Sequence, residues 1–360
     1  MRVWPNSKRY LGLQLFSLTL VLVLFGLLMI YSASVSEALQ TFNDKFYFVK
    51  QQLKWAGLGF VGLFIFSKIS LKTLKQLAPT IMVIGLFLLV LVLIPGIGVK
   101  VQGARRWLAL PFFTSQPSEL MKLIEIIYLA HFLNAKPVSF SQFLFLLGTI
   151  SFLVLLQPDM GTMLVLIATA VAVYFLSGYS IKNILFLGLL GSLALLLLII
   201  ISPYRASRLK TFLNPMHDPL GSSYHIRQIL IAFGGGGVSG VGLGKSRQKH
   251  NYLPESTTDS IFAVIGEELG FIGAVFLISL FAYFIYLGFQ IAFKTQDRFA
   301  RVLAGGITSW FALQVVLNLS SMVALTPLTG VPLPLVSYGG SALVTMLSGI
   351  GLLINISHHN

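Results

Sequence analysis

The sequence predicts an all-α polytopic membrane protein with ten transmembrane helices, and three observations carry that reading. Hydrophobic residues make up 56% of the 360 and charged residues only 10%, where soluble domains carry about 25% charged. The apolar residues gather into ten runs, each near the length of about 20 residues that a spanning helix needs. Connections between runs are short except for one, residues 203–259, which is polar, Gly-rich and basic. The chain 1–360 reads as a single membrane domain with that long loop between its seventh and eighth spans.

In order, the runs are 11–33, 51–67, 78–95, 117–133, 140–157, 161–177, 183–202, 260–292, 302–325 and 338–356. The first is too long for the apolar core of a signal peptide and no cleavage site follows it, so no cleavable signal is expected. An even number of spans puts both termini on one side, and the positive-inside rule chooses the side. With the N-terminus cytoplasmic, the inner segments hold eleven Lys and Arg against six in the short outer loops. Both termini are therefore expected in the cytoplasm, and the loop 203–259 outside it.

Basic residues outnumber acidic ones by 25 to 11, a formal charge of +14. A nucleic-acid binder shows such a surplus on a polar face, and no such face exists here. Much of it falls in two outer loops, at Arg105, Arg106, Arg205, Arg208, Lys210, Arg227, Lys245, Arg247 and Lys249. Contact with headgroups and capture of an anionic, phosphorylated lipid both fit that placement. There is no Cys, which excludes disulfides and Cys-rich metal sites, and the six His have no metal-ligand spacing. Gly240 to Ser246 resembles a phosphate loop, but Ser239 stands where its first Gly belongs. No dinucleotide-binding pattern is present either. Gly234 to Gly237 read as a flexible hinge or a phosphate contact.

Ionisable residues inside spans are costly and mark function by default. The fourth run carries Glu119, Lys122 and Glu125, spaced so that Lys122 can pair with either carboxylate. The alternatives are an internal ion pair and a lysine facing an outer cavity, ready for phosphate. The eighth run carries Glu267 and Glu268. Adjacent residues point about 100° apart on a helix, so the two are not expected to face one partner, and packing or gating is the expected role. Asp159, after Pro158, reads as the cap of the sixth span. Ser256 and Asp259 have the spacing of a capping box for the eighth. Asp259 also lies at the outer surface beside the basic loop, where a carboxylate can act as a general base.

The motifs taken together resemble the SEDS family, the polytopic glycosyltransferases of shape, elongation, division and sporulation, nearly end to end. The resemblance rests on Tyr31-Ser32-Ala33-Ser34, Gly103-Ala104-Arg105-Arg106-Trp107, Gln116-Pro117-Ser118-Glu119 and Gln157-Pro158-Asp159-Met160-Gly161-Thr162. It continues through Pro203-Tyr204-Arg205 with Arg208, Gln248-Lys249, Tyr252-Leu253-Pro254-Glu255 and Thr258-Asp259. Gly266-Glu267-Glu268-Leu269-Gly270 and the run from Gly330 through Ser337, Gly339 and Gly340 to Ser341 complete it. Within the family the chain is similar to the division (FtsW) type more than the elongation (RodA) type. Ser260 departs from the Phe usual after the Asp.

The resemblance implies a peptidoglycan glycosyltransferase that polymerises lipid II at the outer face of the bacterial cytoplasmic membrane, at the division septum. The growing glycan on undecaprenyl diphosphate is the donor and the 4-hydroxyl of an incoming lipid II the acceptor. Asp259 stands where the family keeps its essential carboxylate, so the resemblance makes it the catalytic base. Arg106, Trp107, Lys122, Arg205, Arg208, Lys249 and Glu255 become candidates for holding diphosphate and sugar. Asp159, Glu119, Glu268, Ser337, Gly339 and Gly340 become supporting residues. The resemblance fixes no cofactor, and a divalent cation, Mg or Mn, suits a diphosphate leaving group. The implied partners are a class B penicillin-binding protein, which is a transpeptidase, and other division proteins. Two rivals use the same features: a lipid II flippase, with Lys122, Glu125, Glu267 and Glu268 lining a polar path, and a non-catalytic scaffold for a transpeptidase.

Overall fold

The computed structural model describes residues 6–101, 103–109, 114–135, 138–214, 218, 221, 223–250 and 252–359. Among them are twelve α-helices and three short strands. Each of the ten apolar runs falls on a helix: α1 (Asn6–Phe42), α2 (Tyr47–Lys68), α3 (Leu71–Leu91), α4 (Pro117–Ala135), α5 (Phe140–Leu155), α6 (Met160–Leu176), α7 (Ile181–Ile201), α10 (Ile261–Lys294), α11 (Arg298–Met322) and α12 (Gly340–His359). Six of these, α1, α3, α7, α10, α11 and α12, are long and apolar enough to cross a bilayer, which makes the chain a multi-pass membrane protein. Helices α5 and α6 have 16 and 17 residues.

The expectation of a wholly helical chain needs correction at one place. Between α3 and α4 the chain forms an antiparallel sheet of β1 (Gly98–Val101), β2 (Ala104–Ala109) and β3 (Thr114–Ser115), in the order β1-β2-β3. Here the chain leaves the apolar interior, and its backbone groups must find partners outside a helix. The loop 203–259 is not irregular throughout either. It contains α8 (Pro203–Leu213) and α9 (Tyr224–Gly236), and α9 buries Ile226, Ile229, Ala232 and Gly236 along one face.

Helix α10 is broken at Gly270, whose φ of 68° and ψ of −167° no other residue adopts easily. A break frees backbone groups that apolar surroundings cannot satisfy. The segment after α9 supplies the partners. Val241 N and Gly242 N donate to the carbonyls of Glu267 and Glu268, both at 3.0 Å, while Phe271 N and Ile272 N donate to Gly237 O and Val238 O at 2.9 and 3.1 Å. The glycines between 234 and 242 therefore serve close backbone approach to α10: Gly236 lies against the carbonyl of Gly266, and Gly240 against that of Glu268. This replaces the hinge expected there.

The carboxylates just before the break both hold one loop, contrary to the expectation from their 100° separation. Glu267 accepts from Ser246 Oγ (2.5 Å), Arg247 N (2.9 Å) and Gln248 N (3.3 Å). Glu268 accepts from Lys249 Nζ (3.0 Å), Ser246 N (3.3 Å) and, from α1, Ser32 Oγ (2.7 Å). The loop curls around the helix, so residues on different faces reach it. At the opposite end of the bundle Arg298 Nη2 donates to Ser177 O (3.0 Å), and Asn355 Nδ2 to Phe66 O and Ile69 O (2.9 and 2.7 Å).

Candidate active site

The starts of α4, α6, α10 and α12 meet at one end of the bundle, together with β2, α8 and the chain 323–339. Asp259 stands among them. Its backbone is fixed from two sides. Asn318 Nδ2 of α11 donates to Asp259 O (2.9 Å) and Val331 O (2.8 Å), tying the turn to the 330s segment. Ser337 Oγ donates to Thr258 O (2.6 Å) while accepting from Leu333 N (2.9 Å), and Tyr338 N donates to Thr257 O (2.9 Å). Within the turn, Thr258 N and Ser260 N both donate to Glu255 O, at 3.1 and 3.0 Å.

Asp259 is not the helix cap that its spacing from Ser256 suggested. Helix α10 begins at Ile261 with Ser260 at the cap position, and no side chain caps it. The Asp259 carboxylate points beside Gly330, where a Cβ would sit 3.4 Å from Oδ2. Burial, then the negative charges of Glu255 and Asp159, push its pKa from 3.8 up to about 7, while Arg208 and Arg106 pull the other way. Burial wins because charging a carboxyl away from water costs more than two partly solvated cations return. A carboxyl balanced near neutrality can take and release a proton at working pH.

Arg106, on β2, turns its guanidinium to the Gln157-Pro158-Asp159 corner, with Nε 2.9 Å from Gln157 O and Nη2 2.5 Å from Pro158 O. Those bonds use two of five N–H donors. Trp107, next to it, is half-buried and faces Val99 in the sheet register. Asp159 caps α6, as its position after Pro158 suggested: Thr162 N donates to Oδ1 (3.1 Å) and Thr162 Oγ1 to Oδ2 (2.9 Å). Gln116 reaches it as well, with Nε2 3.0 Å from Oδ2, and its own N–H donates to Ser341 Oγ (3.1 Å). Arg208 Nη1 donates to Leu328 O at 2.8 Å. Arg205 lies on α8, but its side chain falls outside the described residues. Glu255 is exposed, and Thr258 Oγ1 donates to its Oε2 (2.8 Å).

Gly339 and Gly340 stand at the start of α12, against α2. Gly339 N donates to Gln52 Oε1 (3.2 Å), and Gln52 Nε2 donates to Ser337 O (3.3 Å). A Cβ at Gly340 would overlap the Trp55 indole, so the start of α12 can lie on α2 only without a side chain.

Two candidate cations are held elsewhere. Lys122 is 1% exposed and gives its ammonium to Glu119 Oε1 (2.7 Å) and Gln314 Oε1 (3.4 Å). That is the ion-pair alternative, with Glu119 chosen over Glu125. Lys249 is 7% exposed and bonds Glu268, Ser32 Oγ (3.2 Å) and Gly244 O (2.6 Å). Neither ammonium faces Asp259 as a solvated phosphate ligand. Among the described residues the two clusters share no hydrogen-bond partner. Asn318, Gln52, Gln116 and His225 were missed as site residues. Gln52 and Asn318 lie within apolar runs, and a polar side chain there was a readable signal.

Residues 13–360 match the model of the FtsW/RodA/SpoVE family, described as cell cycle protein. The chain is 42% identical to stage V sporulation protein E of Bacillus subtilis, over 99% of each chain. It is also 42% identical to the probable peptidoglycan glycosyltransferase FtsW of Trichlorobacter lovleyi, over 96% of this chain and 92% of that one. Among solved structures, it is similar to a chain of a peptidoglycan synthase complex described as coordinating polymerization and crosslinking. That match has a TM-score of 0.79, 30% identity and 96% coverage of both chains.

Proposed function

Because the chain belongs to the FtsW/RodA/SpoVE family of cell cycle proteins, we propose that it is a peptidoglycan glycosyltransferase that polymerises lipid II with Asp259 as the base. The observation that carries this reading is the Asp259 carboxyl, uncapped, pushed up to about 7 and flanked by Arg106 and Arg208. The ionised carboxylate takes the proton of the acceptor 4-hydroxyl. The oxygen bonds to the anomeric carbon as the bond to the lipid diphosphate breaks, with inversion at that carbon. The diphosphate leaves as an anion, and a guanidinium stabilises it best through paired N–H contacts. Arg106 keeps three N–H donors beyond its two backbone bonds.

Asp259 lies on the outer face in this reading, both termini are cytoplasmic, and all ten apolar helices span the membrane. The charge bias of the short loops supports that orientation. The proposed place of action is the division septum. The proposed partner is a class B transpeptidase, supported by the likeness to a chain from a complex that couples polymerization with crosslinking. A divalent cation has no dedicated cage: no three His, Asp or Glu converge on one among the described residues, and Asp159 is occupied by Thr162 and Gln116.

The test is lipid II polymerisation by purified protein, with and without the transpeptidase. Asp259→Asn should fold, bind lipid II and lose about a hundred- to ten-thousandfold in rate, the usual worth of acid–base catalysis. Near-normal polymer formation by that variant removes Asp259 from the chemistry.

A further inference from the structure

We propose that His225 is a positioning residue for Asp259, its imidazole spanning the turn that presents the carboxylate. This rests on the reading of Asp259 as base. His225 is the second residue of α9, and its Nε2 lies 2.7 Å from Ser260 Oγ, one residue beyond Asp259. Its ring also lies against the backbone of Pro254, at the other end of the turn, which favours the protonated ring. A proline offers only its carbonyl, so the nitrogen facing Pro254 carries a hydrogen. With that hydrogen on Nδ1, Nε2 of the neutral ring accepts and the Ser260 hydroxyl donates to it.

A local rule is broken to make this contact. Ser260 occupies the cap position of α10, where a serine oxygen normally accepts from the first-turn N–H groups. Here it makes no cap bond. It is fully buried and turned to His225 instead. A favourable cap given up at the edge of a reactive group is what a functional constraint looks like. The support behind His225 is firm. The residues after it, Ile226 and Ile229, are buried, and the chain following α9 is spliced into the break of α10. The imidazole therefore braces the Asp259 turn against the helix that the turn begins.

The charged groups facing the ring are Glu255 of the turn and Arg208 of α8. Burial holds the ring neutral, Glu255 favours its cation, and Arg208 opposes it. A neutral ring keeps Nε2 available to the Ser260 hydroxyl and adds no charge beside Asp259. Removing the ring should loosen the turn, let water reach the carboxylate and lower its pKa.

The experiment is steady-state lipid II polymerisation from pH 5 to 9 by full-length protein carrying His225→Ala, His225→Gln, Ser260→Ala or the His225→Ala/Ser260→Ala pair. Loss of position of about an ångström costs up to about a hundredfold in rate, so His225→Ala should lose about ten- to a hundredfold in kcat. Its KM should stay within about twofold, and its acid limb should move to lower pH. Gln can both donate and accept, so His225→Gln should recover most of the rate. The double variant should be no slower than the slower single one, because one bond is lost in both. Unchanged kcat and pH profile in His225→Ala, or fully additive losses, overturn the proposal. If Asp259→Asn is inactive while His225→Ala is normal, only the positioning role fails. If Asp259→Asn stays active, the base assignment fails and takes this role with it.

Discussion

The displaced pKa of Asp259 sets a pH profile that can be worked out in advance. A carboxyl moved from 3.8 to about 7 is ionised in about a tenth of molecules at pH 6 and about nine tenths at pH 8. Polymerisation limited by that base should therefore rise about tenfold between pH 6 and pH 8. Glu255→Gln removes the larger of two negative neighbours and should slide the limb toward lower pH. Glu255 is exposed, and screened charge pairs contribute about 0.2–1 kcal/mol, which is a shift of about half a unit. Burial, the larger cause, stays in place, so the steep rise should survive.

The same displacement has a cost in folding. The folded protein holds a proton on Asp259 between about pH 4 and 7 that the unfolded chain has released, so stability falls as pH rises through that window. The full loss is about 4 kcal/mol above pH 7. Asp259→Asn should thus raise thermal stability at pH 8 more than at pH 4. Rates from purified protein and melting curves in the same detergent test both halves. A flat rate from pH 5 to 8, or a variant no more stable at pH 8, refutes the reasoning.

The buried Lys249–Glu268 pair yields a second expectation. Glu268→Gln strands a buried ammonium and should destabilise by about 3–5 kcal/mol, whereas Lys249→Met combined with Glu268→Met should recover most of it; a stable but inactive double variant would return Lys249 to substrate binding. Gly340→Val forces a side chain into the Trp55 indole and should abolish folded protein in size-exclusion profiles, where unaltered yield would show that α2 and α12 part without penalty.

The helices were legible because hydrocarbon allows little else: an apolar run of sufficient length must close its own hydrogen bonds. What lay between them was not. The spacing of Ile226, Ile229 and Ala232 signals a helix inside the long loop, yet its Gly-rich end and polar surroundings read as hinge. The sheet strands are too short, at two to six residues, to show a period. Helix boundaries are uncertain by a residue or two, and that uncertainty turned Asp259 from an uncapped carboxylate into an apparent cap. Its chemical state depends on Asp159, Glu255, Arg106 and Arg208, brought together from four separate segments, so spacing alone left cap and base open. Its place beside the basic loop allowed catalysis, and the match of its surrounding motif tipped the reading that way.

Buried charged groups explain how such a site is kept in order. Lys122, Lys249, Glu267 and Glu268 have partners in the protein, and each of those bonds is hard to exchange for water. Two of the four are the cations that looked most available for phosphate. Their partners are loops and neighbouring helices, so charge placed at this depth fastens backbone that would otherwise wander. Ser337, Asn318 and Gln52, buried as well, do the same with uncharged groups. Against this fixed frame Asp259 carries no cap. Arg106 is aimed by two carbonyls and retains further donors. An enzyme that must stabilise a departing diphosphate gains most from dipoles and charges that need not reorganise. In the proposed mechanism the labour divides accordingly: buried ion pairs fasten α4 to α11 and the segment before the Asp259 turn to α10, while Arg106 and Arg208, each bonded to backbone carbonyls elsewhere, are the proposed substrate contacts.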